Sequence, residues 1–146
     1  MREAVVISGG RKLLFERLTD DPAHPWADAV NVWAGLRMSG MTEVQRLFNT
    51  RIPQDAARLV HRRRSTVDYG IPDLSLFSLR DPAAEIRLAE HLIDALRAFE
   101  PRLLSPKVAL ERVEGADGGL VAQVAGEIRL ARMTAPLTFQ VALRRL

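Results

Sequence analysis

Between residues 82 and 143 the hydrophobic pattern changes its period, and that change limits the folds open to the chain. From Pro82 to Phe99 the apolar side chains Ile86, Ala89, Leu92, Ile93, Leu96 and Phe99 recur every three or four positions. Glu85, Arg87, Glu90, Asp94 and Arg97 fall mostly on the other side, so the spacing predicts an amphipathic helix. Asp81 suits its N-cap and Pro82 its first turn, while Pro101 stops it. Beyond Pro101 the period drops to two. Val108 and Leu110 alternate with Lys107, Ala109 and Glu111; Leu120, Ala122, Val124, Ile128 and Leu130 with Gln123, Glu127 and Arg129; and Leu137, Phe139, Val141 and Leu143 with Thr138 and Gln140. The run Gly115-Ala116-Asp117-Gly118-Gly119 separates the first two strands, and Thr134-Ala135-Pro136 punctuates the way into the third. Three strands with short connections make an antiparallel meander with one apolar face to cover. The 82–99 helix is the simplest cover.

The first half is less regular. Leu14, Phe15 and Leu18 suggest a short helix over 11–21, which Pro22 and Pro25 break. A second helix is expected over 27–38, interrupted by Ser39-Gly40, with helical spacing resuming at Met41, Val44, Leu47 and Phe48. Residues 53–80 read as an irregular connection with a helical turn near 54–60, and Asp68-Tyr69-Gly70-Ile71-Pro72-Asp73-Leu74 as a turn. The expected architecture is α+β: N-terminal helices and a long amphipathic helix packed on a small antiparallel C-terminal β-sheet. An arm with short helices over 1–40 is expected to precede a domain over 41–146.

Charge and composition narrow the chemistry. The chain has 146 residues and 47% hydrophobic content, enough for a core. It has no cysteine, which removes disulfides, thiolate metal sites and cysteine nucleophiles. The sequence pI near 10.1 suggests a nucleic-acid binder. Yet the net charge is only +3, and 19 of the 21 basic residues are arginines, whose very high pKa raises the pI without much excess charge. Residues 1–73 carry 11 basic and 9 acidic side chains and residues 74–146 carry 10 and 9, so no half is a strong phosphate surface. The basic run His61-Arg62-Arg63-Arg64 lacks interleaved aromatics and reads as a solvated or partner-facing patch. His24, His61 and His91 share no metal-ligand spacing, and His91 reads as a rim residue of its helix. Neither a phosphate loop nor a nucleophile elbow is present. No apolar run spans a membrane or resembles a signal-peptide core, so a cytoplasmic location is expected.

One local arrangement stands out. Phe99-Glu100-Pro101-Arg102-Leu103 joins the amphipathic helix to the sheet, and Pro101 locks the exit angle of the chain. Glu100 and Arg102 are then either a rigid corner that pairs internally or a fixed fork of opposite charges offered to another protein. Asn49 suits a helix end. Tyr69 can bury its ring, and Gly70 can adopt backbone angles other residues avoid.

Taken in order, Leu13–Asp20, Leu47-Phe48-Asn49-Thr50-Arg51, Asp68–Leu74 and Phe99–Leu103 resemble the TssE family, baseplate components of the bacterial type VI secretion system. That family is similar to the small "lysozyme-like" wedge protein of contractile phage tails. Phe48 stands where the family usually has leucine, and Ile52 where it often has a further arginine. The resemblance implies a structural protein without cofactor or metal. Its implied partners are TssF-like and TssG-like wedge proteins, a TssK-like baseplate protein and contractile sheath subunits, with no nucleic acid and no membrane span. It implies assembly at the inner face of the inner membrane, and absent cysteines fit that reducing side. Glu100, Pro101 and Arg102 match the family's docking motif; Arg51 and Asp73 are further interface candidates, and Asn49, Thr50, Tyr69, Gly70 and Pro72 structural ones. The strand 137–143 is the candidate sheet edge, with Arg144 and Arg145 as charged guards.

The "lysozyme-like" label raises a peptidoglycan hydrolase as the alternative. Such enzymes need two carboxyl groups flanking the sugar bond, one of them protonated. Arg102, two residues from Glu100, is a poor neighbour for a general acid, and no second carboxylate lies in a recognisable site.

Overall fold

A computed structural model describes residues 32–53, 59, 63–78, 81–113, 119–130 and 133–144, and in it the two hydrophobic periods become two layers. The order is helix α1 (Val32–Phe48), a connection with two 3-10 turns, helix α2 (Pro82–Phe99), then strands β1 (Leu103–Arg112), β2 (Leu120–Leu130) and β3 (Met133–Leu143). Among the described residues the sheet is antiparallel in the order β1-β2-β3, with β1 and β3 at its edges. Both helices pack on the face carrying Leu120, Ala122, Val124, Ile128, Leu137, Phe139, Val141 and Leu143, all buried. The expected α+β arrangement is what forms.

Helix α2 starts as its sequence dictates. The Asp81 carboxylate accepts from the Ala83 amide at 2.9 Å, and Pro82 occupies the first turn. Its buried face is Ala84, Leu88, Leu92, Ala95 and Leu96, which corrects the expected stripe: Ile86 is 62% exposed. The helix is turned so that Ile86 and Ala89 border a groove shared with Val108 and Leu110 of β1.

Helix α1 corrects a second expectation. Ser39-Gly40 does not interrupt it; one helix runs from Val32 through both residues. They are small because the sheet is close. A Cβ at Gly40 would sit 3.3 Å from Ile128 Cδ1, and Ser39 is 2% exposed. The cost of a glycine within a helix, about 1 kcal/mol, is offset by that close packing. The boundary expected at residue 40 therefore lies inside a continuous helix whose Leu36 is part of the core. The helix expected over 11–21, the start of the one over 27–38 and most of the turn near 54–60 lie outside the described residues.

Two strands are longer than their alternation suggested. β1 begins at Leu103 but breaks register between Leu104 and Lys107, where Ser105 (φ 48°) and Pro106 form a bulge. Gly126 faces this bulge, and a Cβ there would lie 2.9 Å from the Leu104 carbonyl oxygen. β3 begins at Met133 and runs through Pro136, which pairs with Glu127. Proline is tolerated there because β3 is an edge strand.

Candidate interaction surface

The end of α1 explains the Asn-Thr-Arg sequence. A helix leaves its last four carbonyls without helical partners. Here all four are satisfied. The Gln45 carbonyl accepts from the Asn49 amide at 3.1 Å and from Asn49 Nδ2 at 2.8 Å. The Arg46 carbonyl accepts from Thr50 Oγ1 at 2.8 Å, the Leu47 carbonyl from the Thr50 amide at 3.3 Å, and the Phe48 carbonyl from Arg51 Nη1 at 2.7 Å. Asn49 and Arg51 also reach the end of β3: Arg51 Nη2 donates to the Arg144 carbonyl, and Asn49 Oδ1 accepts from the Arg144 amide at 3.4 Å. Burial lowers the pKa of Arg51, and the charge of Asp73 opposes that shift.

The Asp68–Leu74 segment lies against this cap. Arg51 and Ile71 form a parallel bridge, with the Ile71 amide donating to the Thr50 carbonyl at 2.9 Å and the Ile52 amide to the Ile71 carbonyl at 3.0 Å. Gly70 has φ 124°, and a Cβ there would stand 2.6 Å from the Thr50 carbonyl oxygen. Buried Asp68 accepts from the Ser65 amide at 2.8 Å, while exposed Asp73 accepts from the Ser75 amide at 2.9 Å. That second bond, ahead of the Arg51 charge, lowers the Asp73 pKa. Pro72 is buried. Tyr69 meets Phe99 edge-on with centroids 5.2 Å apart, which ties the loop to the end of α2. Partial burial and the Glu43 charge raise the Tyr69 pKa.

The Glu-Pro-Arg corner follows directly. Arg102 Nε donates to Glu100 Oε1 at 2.7 Å and Nη2 to Oε2 at 2.8 Å, a two-point pair with side chains 17% and 5% exposed. Arg102 Nη1 donates to Ser39 Oγ at 3.1 Å. The pair thus joins the exit of α2, the entry to β1 and the middle of α1. Of the two readings left open by sequence, this geometry favours the internally paired corner for Glu100, while Pro101 is exposed and Arg102 part-buried. Both Glu100 oxygens accept from Arg102, and the side chain that carries them is 5% exposed. Ser39 escaped the sequence reading; a serine beside the core row Leu36, Gly40, Val44 and Leu47 was its only signal.

The structure gathers Asn49, Thr50, Arg51, Tyr69, Gly70, Pro72 and Asp73 around the α1 end, and links them through Phe99 to the Glu100 corner. Two residues of the basic run are described. Arg64 is part-buried and donates to the Gly70 carbonyl at 3.1 Å, whereas Arg63 is exposed. His61 and Arg62 lie outside the described residues. Burial lowers the Arg64 pKa against the opposing charges of Asp94 and Asp68. Among the described residues no group of His, Asp or Glu could hold a metal ion. No helix among them is long and apolar enough to cross a membrane.

His91 yields a pH prediction. It meets Phe77 edge-on at 5.8 Å, and burial, then the Arg64 charge, lower its pKa against the opposing pull of Asp94 and Glu90. A histidine that protonates less readily folded than unfolded contributes no loss above the unfolded pKa of about 6.5. Below it the unfolded chain takes the proton first, so stability falls until the lower folded pKa is reached. Denaturation midpoints compared at pH 7.5 and 5.0 should therefore drop more in the wild type than in His91→Gln. Equal drops would refute the prediction.

Compared with known proteins, residues 39–132 match the family model described as baseplate wedge protein gp25. The chain is similar to one in a solved structure titled "The baseplate complex from the type VI secretion system", at 24% identity and a TM-score of 0.49, over 73% of this chain and 93% of that one. No curated protein matches. The family match spans well over half of the chain and takes in Ser39, the Asn49–Arg51 cap, the Gly70 loop and the Glu100–Arg102 pair; the chain belongs to the baseplate wedge protein gp25 family.

Proposed function

We propose that this chain is a wedge component of a type VI secretion baseplate. In this reading it joins TssF-like and TssG-like wedge proteins, meets a TssK-like protein, and offers a platform for the first contractile sheath ring. The observation that carries the reading is the family match over residues 39–132. The four motifs in TssE order support the type VI assignment, and with it a site of action in the cytoplasm at the inner face of the inner membrane. The assembling unit is taken as the two helices and sheet from Val32 onward. A non-catalytic role agrees with a wedge family and with a Glu100 carboxyl occupied by Arg102.

The contact is assigned to the corner carrying Glu100, Pro101 and Arg102, with Arg51 and Asp73 as further interface residues. Glu100 and Arg102 fix the shape from inside, and the exposed Pro101 between them meets the partner. Pro101→Asp changes the exposed surface while leaving the Glu100–Arg102 pair its own groups. The wild type should co-purify with TssF-like and TssG-like proteins, and folded Pro101→Asp should lose them. No co-purification of the wild type would defeat the functional reading. Retention by Pro101→Asp would defeat only the site assignment.

A further inference from the structure

The hydrogen-bond alternation of the sheet shows which backbone groups of β3 face outward. The Val113 amide donates to the Gly119 carbonyl, so Gly119 faces β1. Successive residues of a strand direct their backbone groups to opposite sides, so Leu120 faces β3. Its partner Leu143 faces inward, and Arg144 faces outward. The other end of the sheet gives the same phase independently. The Arg129 amide donates to the Arg102 carbonyl, so Ile128 faces β3, its partner Ala135 faces inward, and Pro136 faces outward. The outward row is therefore Thr134, Pro136, Thr138, Gln140, Ala142 and Arg144.

Two members of that row are closed. Pro136 has no N–H to give. At Arg144 both backbone groups are engaged, the carbonyl by Arg51 Nη2 and the amide by Asn49 Oδ1. One donor and one acceptor aimed at a single outward residue are what a neighbouring strand would supply. An unguarded edge would invite a second copy of the same chain. In an antiparallel pairing of two β3 strands centred on Gln140, Thr138 meets Ala142 and Pro136 meets Arg144. Both closed positions then fall opposite each other, at each end of the contact.

We propose that Asn49 and Arg51 act as a surrogate strand that closes the outer edge of β3 at Arg144, restricting edge-to-edge pairing between copies of this chain to Thr138–Ala142. The motif that ends α1 is thereby also an edge guard. It works through the backbone of Arg144, where the sequence had suggested the charge of that side chain. This role concerns self-association and does not depend on which assembly the chain serves.

The test uses the full chain in two variants, Asn49→Ala/Arg51→Ala and Arg51→Lys. The lysine keeps a donor for the Phe48 carbonyl but cannot serve Arg144 as well, so it remains informative if the double variant folds poorly. Amide hydrogen exchange at Arg144 should quicken roughly tenfold in the folded double variant, which removes the Asn49 acceptor, while the inward-facing Val141 and Leu143 amides stay protected. Arg51→Lys frees only the Arg144 carbonyl and is read by association. Sedimentation should then show stronger concentration-dependent self-association than the wild type. Adding Gln140→Pro, at an outward position whose N–H the sheet does not use, should reverse it. Unchanged exchange at Arg144 in the folded double variant would overturn the proposal. So would unchanged association once Arg144 is released, or association that Gln140→Pro leaves intact.

Discussion

Replacing Gly70 by alanine should destabilise the fold by about 3 kcal/mol or more, because two separate penalties meet at one atom. The backbone stands at φ 124°, a region that L residues rarely adopt. The added Cβ would also be 2.6 Å from the Thr50 carbonyl oxygen, well inside contact distance. That oxygen cannot move aside freely, since it accepts from the Ile71 amide at 2.9 Å. Relief would require parting the 69–71 segment from the α1 cap, which gives up the Arg51–Ile71 bridge. Urea denaturation of wild type and Gly70→Ala measures the effect. A loss below about 1 kcal/mol would mean that the loop shifts at little cost, and that Gly70 is not what holds it close to the cap.

The contrast between halves of the chain shows what a sequence can reveal. α2 and the strands were legible because each buries one face of a regular period. The stripe on α2 was misplaced by a fraction of a turn because Ile86 is apolar yet borders a groove instead of the core. α1 was misread for a physical reason: the Ser39-Gly40 pair has poor helix propensity, and the packing that overrides it involves Ile128, Glu100 and Arg102, all more than sixty positions away. The same distance hid the partner of Asn49 and Arg51. Their role in ending a helix was local and could be anticipated for Asn49; their hold on Arg144 required knowing that β3 finishes beside α1. The bulge at Ser105-Pro106 was similarly invisible, because its counterpart Gly126 had no side chain to mark a face.

Removing one member of the Glu100–Arg102 pair should be about as damaging as the Gly70 change, and unequal for the two partners. Glu100→Ala leaves a guanidinium in a mostly buried position, with the two-point bond at 2.7 and 2.8 Å gone. Losing one partner of a buried ion pair costs about 3–5 kcal/mol; the low end applies because the Arg102 side chain is 17% exposed and its contact with Ser39 remains. Arg102→Ala takes the guanidinium from a Glu100 carboxylate at 5% exposure, leaving it the residue-102 amide at 3.3 Å, and also releases Ser39, so it should be the worse of the two. Arg102→Lys restores a charge but not the planar fork, and should recover only part of the loss. Replacing both residues by apolar side chains of similar volume should cost less than either single alanine change, because no buried charge is left alone. Chemical denaturation of these four variants orders them. If Glu100→Ala and Arg102→Ala each cost under about 1 kcal/mol, the pair is not a structural staple. Its two charges would then be conserving little for the fold, and the corner would have to be explained by contacts outside this chain. If the ordering holds, failed assembly in a Glu100 variant cannot by itself locate a partner. The exposed neighbour Pro101 becomes the position at which docking and folding can be separated.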